Sequence, residues 1–388
     1  MITKVKGGTV VTDGKQFLSD VYYEDGKIIA VTNDKLSFDE EIDATGKFVC
    51  PAFVDIHIHG AADSDFLDNT EEAFLTVSKA TAEHGAGTII PTITSAKTDS
   101  TLSCLATYER VKNMELPGAC MPGVHLEGPY FSPKQSGAQD PNKIRAFDKN
   151  EYDTIISSCD SILRWSAAPE LAGFEGFAKA CRENGILPCI GHSDANGEEV
   201  KAAFAEGFTH VTHLYSCTSM VHRIGATRYL GIVECAYLLD DMTVEIIADG
   251  VHLPPDLLKL IYKLKGPKRI ALITDSMRGA GMPDGPSMLG ERVGGLEVVI
   301  ENGCAYLPDR SCFAGSVAFC DRLVRNMVNL ADVPLADAVL MATKTPAQIM
   351  GLKTKGSLSV GYDADIVIFE GDVKVLRTVV GGKTVYTA

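Results

Sequence analysis

The sequence has no apolar run long enough to span a bilayer, so it predicts no transmembrane helix. The N-terminal stretch from Met1 to Gly8 lacks the apolar core of a secretory signal peptide. The eleven cysteines are scattered along the chain and include no Cys-x-x-Cys pair. We therefore expect reduced and mostly buried thiols in a cytoplasmic protein.

Basic residues are scarce. The chain has 36 Lys and Arg against 51 Asp and Glu, a formal net charge of −15. This balance argues against a nucleic-acid backbone or an anionic membrane surface as a partner. It does not exclude a small anionic substrate, which needs only a local basic pocket.

The stretch from Phe53 to Gly60 carries two histidines at the end of an apolar segment. Alternate side chains of a strand point to the same face, so His57 and His59 are expected to project together. Two adjacent imidazoles form half of a divalent-metal site. Taken alone, the His-x-His pair is equally typical of two hydrogen-bonded histidines that cap a strand.

The middle of the chain alternates apolar strands with helices. One helix is predicted from near Thr70 to Gly85, and another from Asn196 to Gly207. Eight such strand units in one closed domain indicate an α/β protein with a (β/α)₈ TIM barrel. An open doubly wound sheet is the alternative, but it requires an early glycine-rich phosphate loop, and Gly279-Ala-Gly281 lies in the wrong place. The eight strands are expected to begin near Phe53, Thr88, Gly123, Leu163, Leu187, Thr209, Val244 and Ile270.

The two ends of the chain share a pattern of short strands and turns that differs from the strand–helix alternation of the middle. The turn Asp25-Gly26 and the pair Gly381-Gly382 interrupt runs of alternating apolar residues, which is typical of hairpins. We therefore predict one small β-sandwich domain built from residues 1–50 and 355–388. Residues 51–354 are expected to form the barrel domain.

Polar residues fall where the predicted barrel strands end. Active sites of such barrels lie at the C-terminal ends of the strands. Several histidines and carboxylates converging from six strands would be costly to bury without a cation. His and carboxylate ligands suit Zn, Fe(II), Mn or Co, and the set alone does not choose among these metals. The polar strand-end residues are His57, His59, Glu127, His192, His213, Asp249, His252 and Asp275.

The order of these motifs resembles that of the N-acetylglucosamine-6-phosphate deacetylases of the amidohydrolase superfamily. The resemblance covers nearly the whole chain. It is carried by His57-x-His59, His125-Leu-Glu127-Gly-Pro129, Gly191-His192-Ser-Asp194-Ala, Thr212-His213-Leu-Tyr215, Ala248-Asp249-Gly-Val-His252, Ile273-Thr-Asp275, Phe313-Ala-Gly315-Ser316 and Ala342-Thr-Lys-Thr345-Pro346-Ala347.

The resemblance implies deacetylation of an N-acetylated amino sugar phosphate by a homodimer with one or two divalent ions per subunit, zinc first among them. Asp275 would be both the catalytic acid/base and a ligand. Many related enzymes bridge two metals with a carboxylated lysine on the fourth strand, and here Glu127 takes that place. The metal ligands implied are His57, His59, Glu127, His192, His213 and Asp275.

Two departures from the family pattern fall in the implied substrate pocket. Ser216 and Cys217 follow His213-Leu-Tyr where many members have Asn-Ala, and Gln139 stands where some have a histidine. The resemblance assigns the phosphate to Arg223 and His252, with Arg228 as the alternative to Arg223. The competing functions are action on another N-acetylated hexosamine or its phosphate, action on a cyclic amide or deaminase substrate, and a non-catalytic assembly role. The complete ligand set disfavours the last of these.

Overall fold

The computed structural model describes residues 1–388 and contains a barrel of eight parallel strands. Each strand pairs with the next one along the chain. The first and last strands meet where the Asp275 N–H donates to the His57 carbonyl over 2.9 Å and the His59 N–H donates to the Ser276 carbonyl over 2.8 Å. The predicted barrel is therefore confirmed. Its strands are Phe53–Ile58, Ala86–Ile93, Val124–Glu127, Ile162–Ala167, Leu187–Ile190, His210–Val211, Thr243–Ile247 and Ile270–Ile273.

Helices connect the barrel strands and begin where the sequence provides caps. Thr70 accepts a hydrogen bond from the Ala73 N–H, and Asn196 forms a capping box with Glu199, so both predicted helix starts are confirmed. None of the helices is both long and apolar enough to cross a membrane. The α-helices are Glu71–Ala82, Thr98–Val111, Lys149–Ser158, Phe174–Glu183, Gly197–Ala205, Ile232–Leu238, Pro255–Lys265, Cys320–Asn329, Leu335–Ala342 and Lys344–Ile349, with short 3₁₀ helices at Phe66–Asp68 and Pro133–Gln135.

Both chain ends contribute to one eight-stranded sheet, as predicted. One edge strand also contacts the segment that precedes the C-terminal strands, because the Ile28 N–H donates to the Tyr362 carbonyl over 2.9 Å. Twelve buried residues, among them Val10, Val21 and Ile366, form a hydrophobic core in this domain. The strands are Thr3–Thr12, Lys15–Glu24, Lys27–Thr32, Glu40–Asp43, Phe48–Pro51, Ile366–Glu370, Lys374–Val380 and Lys383–Thr387.

A four-stranded antiparallel sheet follows the eighth barrel strand, in a region that the sequence patterns did not resolve into strands. Its last strand is joined to the barrel, because the Ser316 N–H donates to the Asp275 carbonyl over 2.8 Å. The sheet therefore stands at the carboxyl end of the barrel. Its strands are Gly285–Leu289, Leu296–Glu301, Cys304–Tyr306 and Phe313–Ser316. The remaining strands form two short separate hairpins, Gly60–Ala61 with Ser64–Asp65 and His222–Ile224 with Thr227–Tyr229.

Arg278 fixes this sheet to the loop that follows the first barrel strand. The Arg278 side chain is 2% exposed and donates to Asp68 over 2.8 Å. It also donates to the carbonyls of Met288 and Gly290, over 2.9 and 2.6 Å. One buried guanidinium thus holds three chain segments beside the carboxyl end of the barrel.

Candidate metal centre

Six side chains from five barrel strands meet at the carboxyl end of the barrel. They form two adjoining groups, each with its ligand atoms within 4.8 Å of one another. All six residues are buried. The first group is His57, His59 and Asp275, and the second is Glu127, His192 and His213.

Glu127 lies between the two groups. Its Oε1 is 3.2 Å from His192 Nε2 and 3.0 Å from His213 Nε2, and its Oε2 is 3.4 Å from His59 Nε2. Asp275 Oδ1 lies 3.1 Å from the same His59 nitrogen. The glutamate can therefore offer one oxygen to each group, which is the geometry that a bridging ligand requires.

Three of the four histidines are held by their Nδ1 atoms. His57 Nδ1 is 2.7 Å from Glu245 Oε1, His192 Nδ1 is 2.9 Å from the Gln135 carbonyl, and His213 Nδ1 is 3.1 Å from the Ser216 carbonyl. Carboxylate and carbonyl oxygens only accept, so each Nδ1 carries the proton. Each Nε2 faces the cluster and is the nitrogen that would bind a metal ion there.

Two nitrogen atoms of the cluster have no hydrogen-bond partner in the protein. They are His57 Nε2 and His59 Nδ1, and both are buried. Unpartnered buried polar atoms are rare because they lose hydration without compensation. A cation bound to His57 Nε2 would supply the missing partner, and the nitrogen and carboxylate donors fit a divalent transition metal.

Charges inside the cluster determine its protonation. Burial alone would raise the pKa of Glu127, but the surrounding histidines, led by His57, hold that pKa well below its ordinary value. Burial alone would lower the pKa of His59, but Asp275 and Glu127 raise it to about 9. Divalent cations displace such protons, because histidine binds metal only in its neutral form.

Three of the six residues adopt left-handed backbone conformations at the strand ends. The φ angles are 47° for His192, 27° for His213 and 48° for Asp275. Such conformations cost on the order of 1–3 kcal/mol for residues other than glycine and are concentrated at functional sites. The chain therefore bends sharply at the points where it turns these side chains inward.

A cavity of about 390 Å³ opens directly onto the cluster. Four of the residues predicted to bind substrate line it, namely Gln139, Ser216, Cys217 and His252. Asp249 Oδ2 is 2.8 Å from His252 Nδ1, which leaves His252 Nε2 free to contact a bound molecule. The volume is in the range of small-molecule sites.

The predicted phosphate ligand Arg223 does not line this cavity. Arg223 and Arg228 face each other across the exposed hairpin of His222–Ile224 and Thr227–Tyr229. Arg310 is the one lysine or arginine that lines the cavity, and it comes from the four-stranded sheet. The sequence patterns did not single out Arg310, because its loop had no predicted place relative to the barrel.

A buried polar network lies beneath the cluster, where the strands were expected to be apolar. Arg164 and Glu245 are fully buried and form a two-point ion pair, and Arg164 also donates to Thr212 over 3.2 Å. His125 Nε2 is 2.8 Å from Ser166 Oγ. The sequence patterns assigned no role to these residues. The alternation of side chains along the strands could have indicated them, because Arg164 and Ser166 lie on the same face of their strand, as do His125 and Glu127.

Comparison with known proteins places the chain among deacetylases. The Amidohydrolase family model matches residues 48–385. An N-acetylglucosamine-6-phosphate deacetylase of Vibrio furnissii is 33% identical, over 97% of this chain and 94% of the relative. An N-acetylgalactosamine-6-phosphate deacetylase of Escherichia coli O157:H7 is 32% identical, over 92% of each chain. The structure of a Mycobacterium smegmatis N-acetyl-D-glucosamine-6-phosphate deacetylase mutant, in complex with N-acetyl-D-glucosamine-6-phosphate, superposes with a TM-score of 0.91 at 27% identity, covering 100% of this chain and 99% of that one.

Proposed function

This chain belongs to the amidohydrolase family, and we propose that it is the metal-dependent deacetylase of N-acetylglucosamine 6-phosphate, releasing glucosamine 6-phosphate and acetate. The observation that carries this proposal is the buried cluster of four histidines and two carboxylates at the floor of the cavity. His57, His59, Glu127, His192, His213 and Asp275 would hold one or two divalent ions, with zinc first and iron, manganese and cobalt as the alternatives.

The reaction needs a nucleophile stronger than neutral water and a protonated leaving amine. A bound divalent ion supplies Lewis acidity and lowers the pKa of water to roughly 7. Asp275 would accept the proton of the attacking water and later deliver it to the departing nitrogen. Its Oδ1 lies 3.1 Å from His59 Nε2 and 3.4 Å from His57 Nε2, so it is held at the floor of the cavity.

The cavity walls would orient the sugar. Gln139, Ser216, Cys217 and His252 present polar groups toward it. The ring of Phe313 lies 4.4 Å from that of His252 and forms an apolar wall beside it. We assign His252 Nε2 to a substrate hydroxyl or phosphate oxygen, because its Nδ1 is engaged by Asp249.

The phosphate requires a cation, and two arginines are candidates. Arg310 lines the cavity within this chain. Its competing ion pair with Glu301 is 2.9 Å long, and both side chains are about 40% exposed, so that pair is weak and a phosphate dianion can displace it. Arg223, favoured by the family resemblance, would reach a cavity only from the exposed hairpin of a neighbouring subunit in a homodimer. We propose both the homodimer and the cytoplasmic location as parts of this function.

A substrate panel tests the proposal. Acetate release should be measured with N-acetylglucosamine and N-acetylgalactosamine, each with and without the 6-phosphate, on the metal-loaded enzyme. We expect N-acetylglucosamine 6-phosphate to give the highest kcat/KM and chelator-treated enzyme to be inactive. A preference for N-acetylgalactosamine 6-phosphate would indicate instead that this chain has the activity named for the Escherichia coli relative. No acetate from any of the four sugars would refute deacetylation.

A further inference from the structure

The metal cluster contains one histidine whose protonation is fixed by a buried ion pair. Glu245 Oε1 lies 2.7 Å from His57 Nδ1, and both side chains are fully buried. An ionised carboxylate only accepts hydrogen bonds, so His57 must carry its proton on Nδ1. The Nε2 atom of His57 faces Asp275 and Glu127 and has no hydrogen-bond partner in the protein.

Arg164 compensates the negative charge of Glu245 inside the barrel. Its guanidinium contacts both oxygens of Glu245, and the two charges neutralise each other. The His213 N–H also donates to Glu245 Oε1, over 3.2 Å. The carboxylate therefore stays ionised and fixed in position.

His59, the second histidine of the first-strand group, has no comparable support. Its Nδ1 is buried without any hydrogen-bond partner. In the other group, both His192 and His213 have their Nδ1 atoms held by backbone carbonyls. The group of His57, His59 and Asp275 thus depends on a single side-chain contact to orient its histidines.

We infer that Glu245, clamped by Arg164, is a positioning residue that sets the occupancy of the metal site formed by His57, His59 and Asp275. The inference rests on the proposed metal function but concerns binding and not turnover. Loss of a carboxylate that orients a metal-binding histidine typically weakens metal affinity by about 10–100-fold. Glu245 contacts no ligand side chain of the site of Glu127, His192 and His213; it accepts only the backbone N–H of His213, so that site serves as an internal reference.

The test is a titration of the metal-free protein with Zn²⁺, followed by equilibrium dialysis and elemental analysis. We expect wild type to bind two ions. Glu245→Gln should weaken one of them about 10–100-fold and leave the other unchanged. Glu245→Asp keeps the charge opposite Arg164 while it withdraws the carboxylate from His57, so it should fold and show the same selective loss.

Asp321→Asn is the matched control. Asp321 also pairs a histidine and an arginine, His84 and Arg325, away from the cluster, and its loss should leave both ions in place. The inference is overturned if wild type binds a single ion, if both Glu245 variants bind two ions as wild type does, or if they weaken both ions equally. Failure of the proposed function would appear separately, as absent acetate release from wild type that binds two ions.

Discussion

The amide nitrogen of Gln139 donates a hydrogen bond to Oε2 of Glu127 over 2.8 Å. The amide oxygen accepts from the Thr94 hydroxyl over 2.8 Å and from the Ser95 N–H over 3.0 Å, so the side chain cannot rotate without losing two contacts. Gln139 therefore orients the carboxylate of Glu127, which we propose as a metal ligand. Its second N–H remains available to a molecule bound in the cavity, which Gln139 lines.

Replacement of Gln139 by leucine removes both N–H groups, and metal retention and kcat then report on the two roles separately. Removing the amide frees Glu127 Oε2 and should weaken metal binding about tenfold or more, because contacts to metal ligands typically contribute 10–100-fold. The measurement is the rate of metal loss to a chelator, compared with wild type. If Gln139→Leu retains metal like wild type and loses only kcat, then Gln139 acts on the substrate alone.

Asp275→Asn should lower kcat by about 10²–10⁴-fold, the usual cost of losing an acid/base group. Asparagine keeps the size of the side chain but cannot carry the proton from water to the amine. Acetate release under saturating substrate measures the effect, with the bound metal determined on the same sample. A variant that keeps its metal and near-native kcat would rule Asp275 out as the proton carrier.

Glu127→Gln should lose more metal than His57→Asn does. Glu127 faces both ligand groups, whereas His57 belongs to the first-strand group alone. Elemental analysis after dialysis compares the two variants directly. We expect one ion to remain in His57→Asn and both sites to be weakened in Glu127→Gln. Equal losses would contradict a bridging glutamate.

The two phosphate candidates give opposite predictions. Arg310→Ala should raise KM for the 6-phosphorylated sugar about ten- to a hundredfold and leave the unphosphorylated sugar little changed, because a charge-assisted hydrogen bond contributes about 1.5–3 kcal/mol. Arg223→Ala should then have no effect and is the matched control. The reverse pattern would indicate that a neighbouring subunit's hairpin completes the cavity, and sedimentation of the active enzyme would show a dimer.

The helix cap at Asn196 offers a test of local stability away from the chemistry. Asn196 Oδ1 accepts from the N–H groups of Glu198 and Glu199 over 2.9 and 3.3 Å. Asn196→Ala should lower the free energy of unfolding by about 1 kcal/mol without changing kcat. Chemical denaturation measures the loss. Glu198→Gln, which leaves the cap intact, should change stability by less than about 0.5 kcal/mol.

The sequence by itself determined the barrel and the residues at its strand ends. Apolar runs set the eight strands, caps such as Thr70 and Asn196 set helix starts, and the active end of a barrel is always the carboxyl end. Those rules place polar residues, among them His57, Glu127 and Asp275, at one end of the barrel, and the family resemblance singles out the six that the structure brings together. Each rule depends only on residues that are close together in the chain, so a single sequence is enough to apply it.

Only the tertiary structure decided which residues meet across the barrel. Arg164 and Glu245 are 81 residues apart and contact each other because of how the strands are staggered around the barrel, which no local pattern encodes. The same holds for Arg310, which reaches the cavity because Ser316 joins the four-stranded sheet to the end of the eighth strand. Side-chain periodicity fixes the direction in which a residue points, and the long-range packing fixes what it contacts.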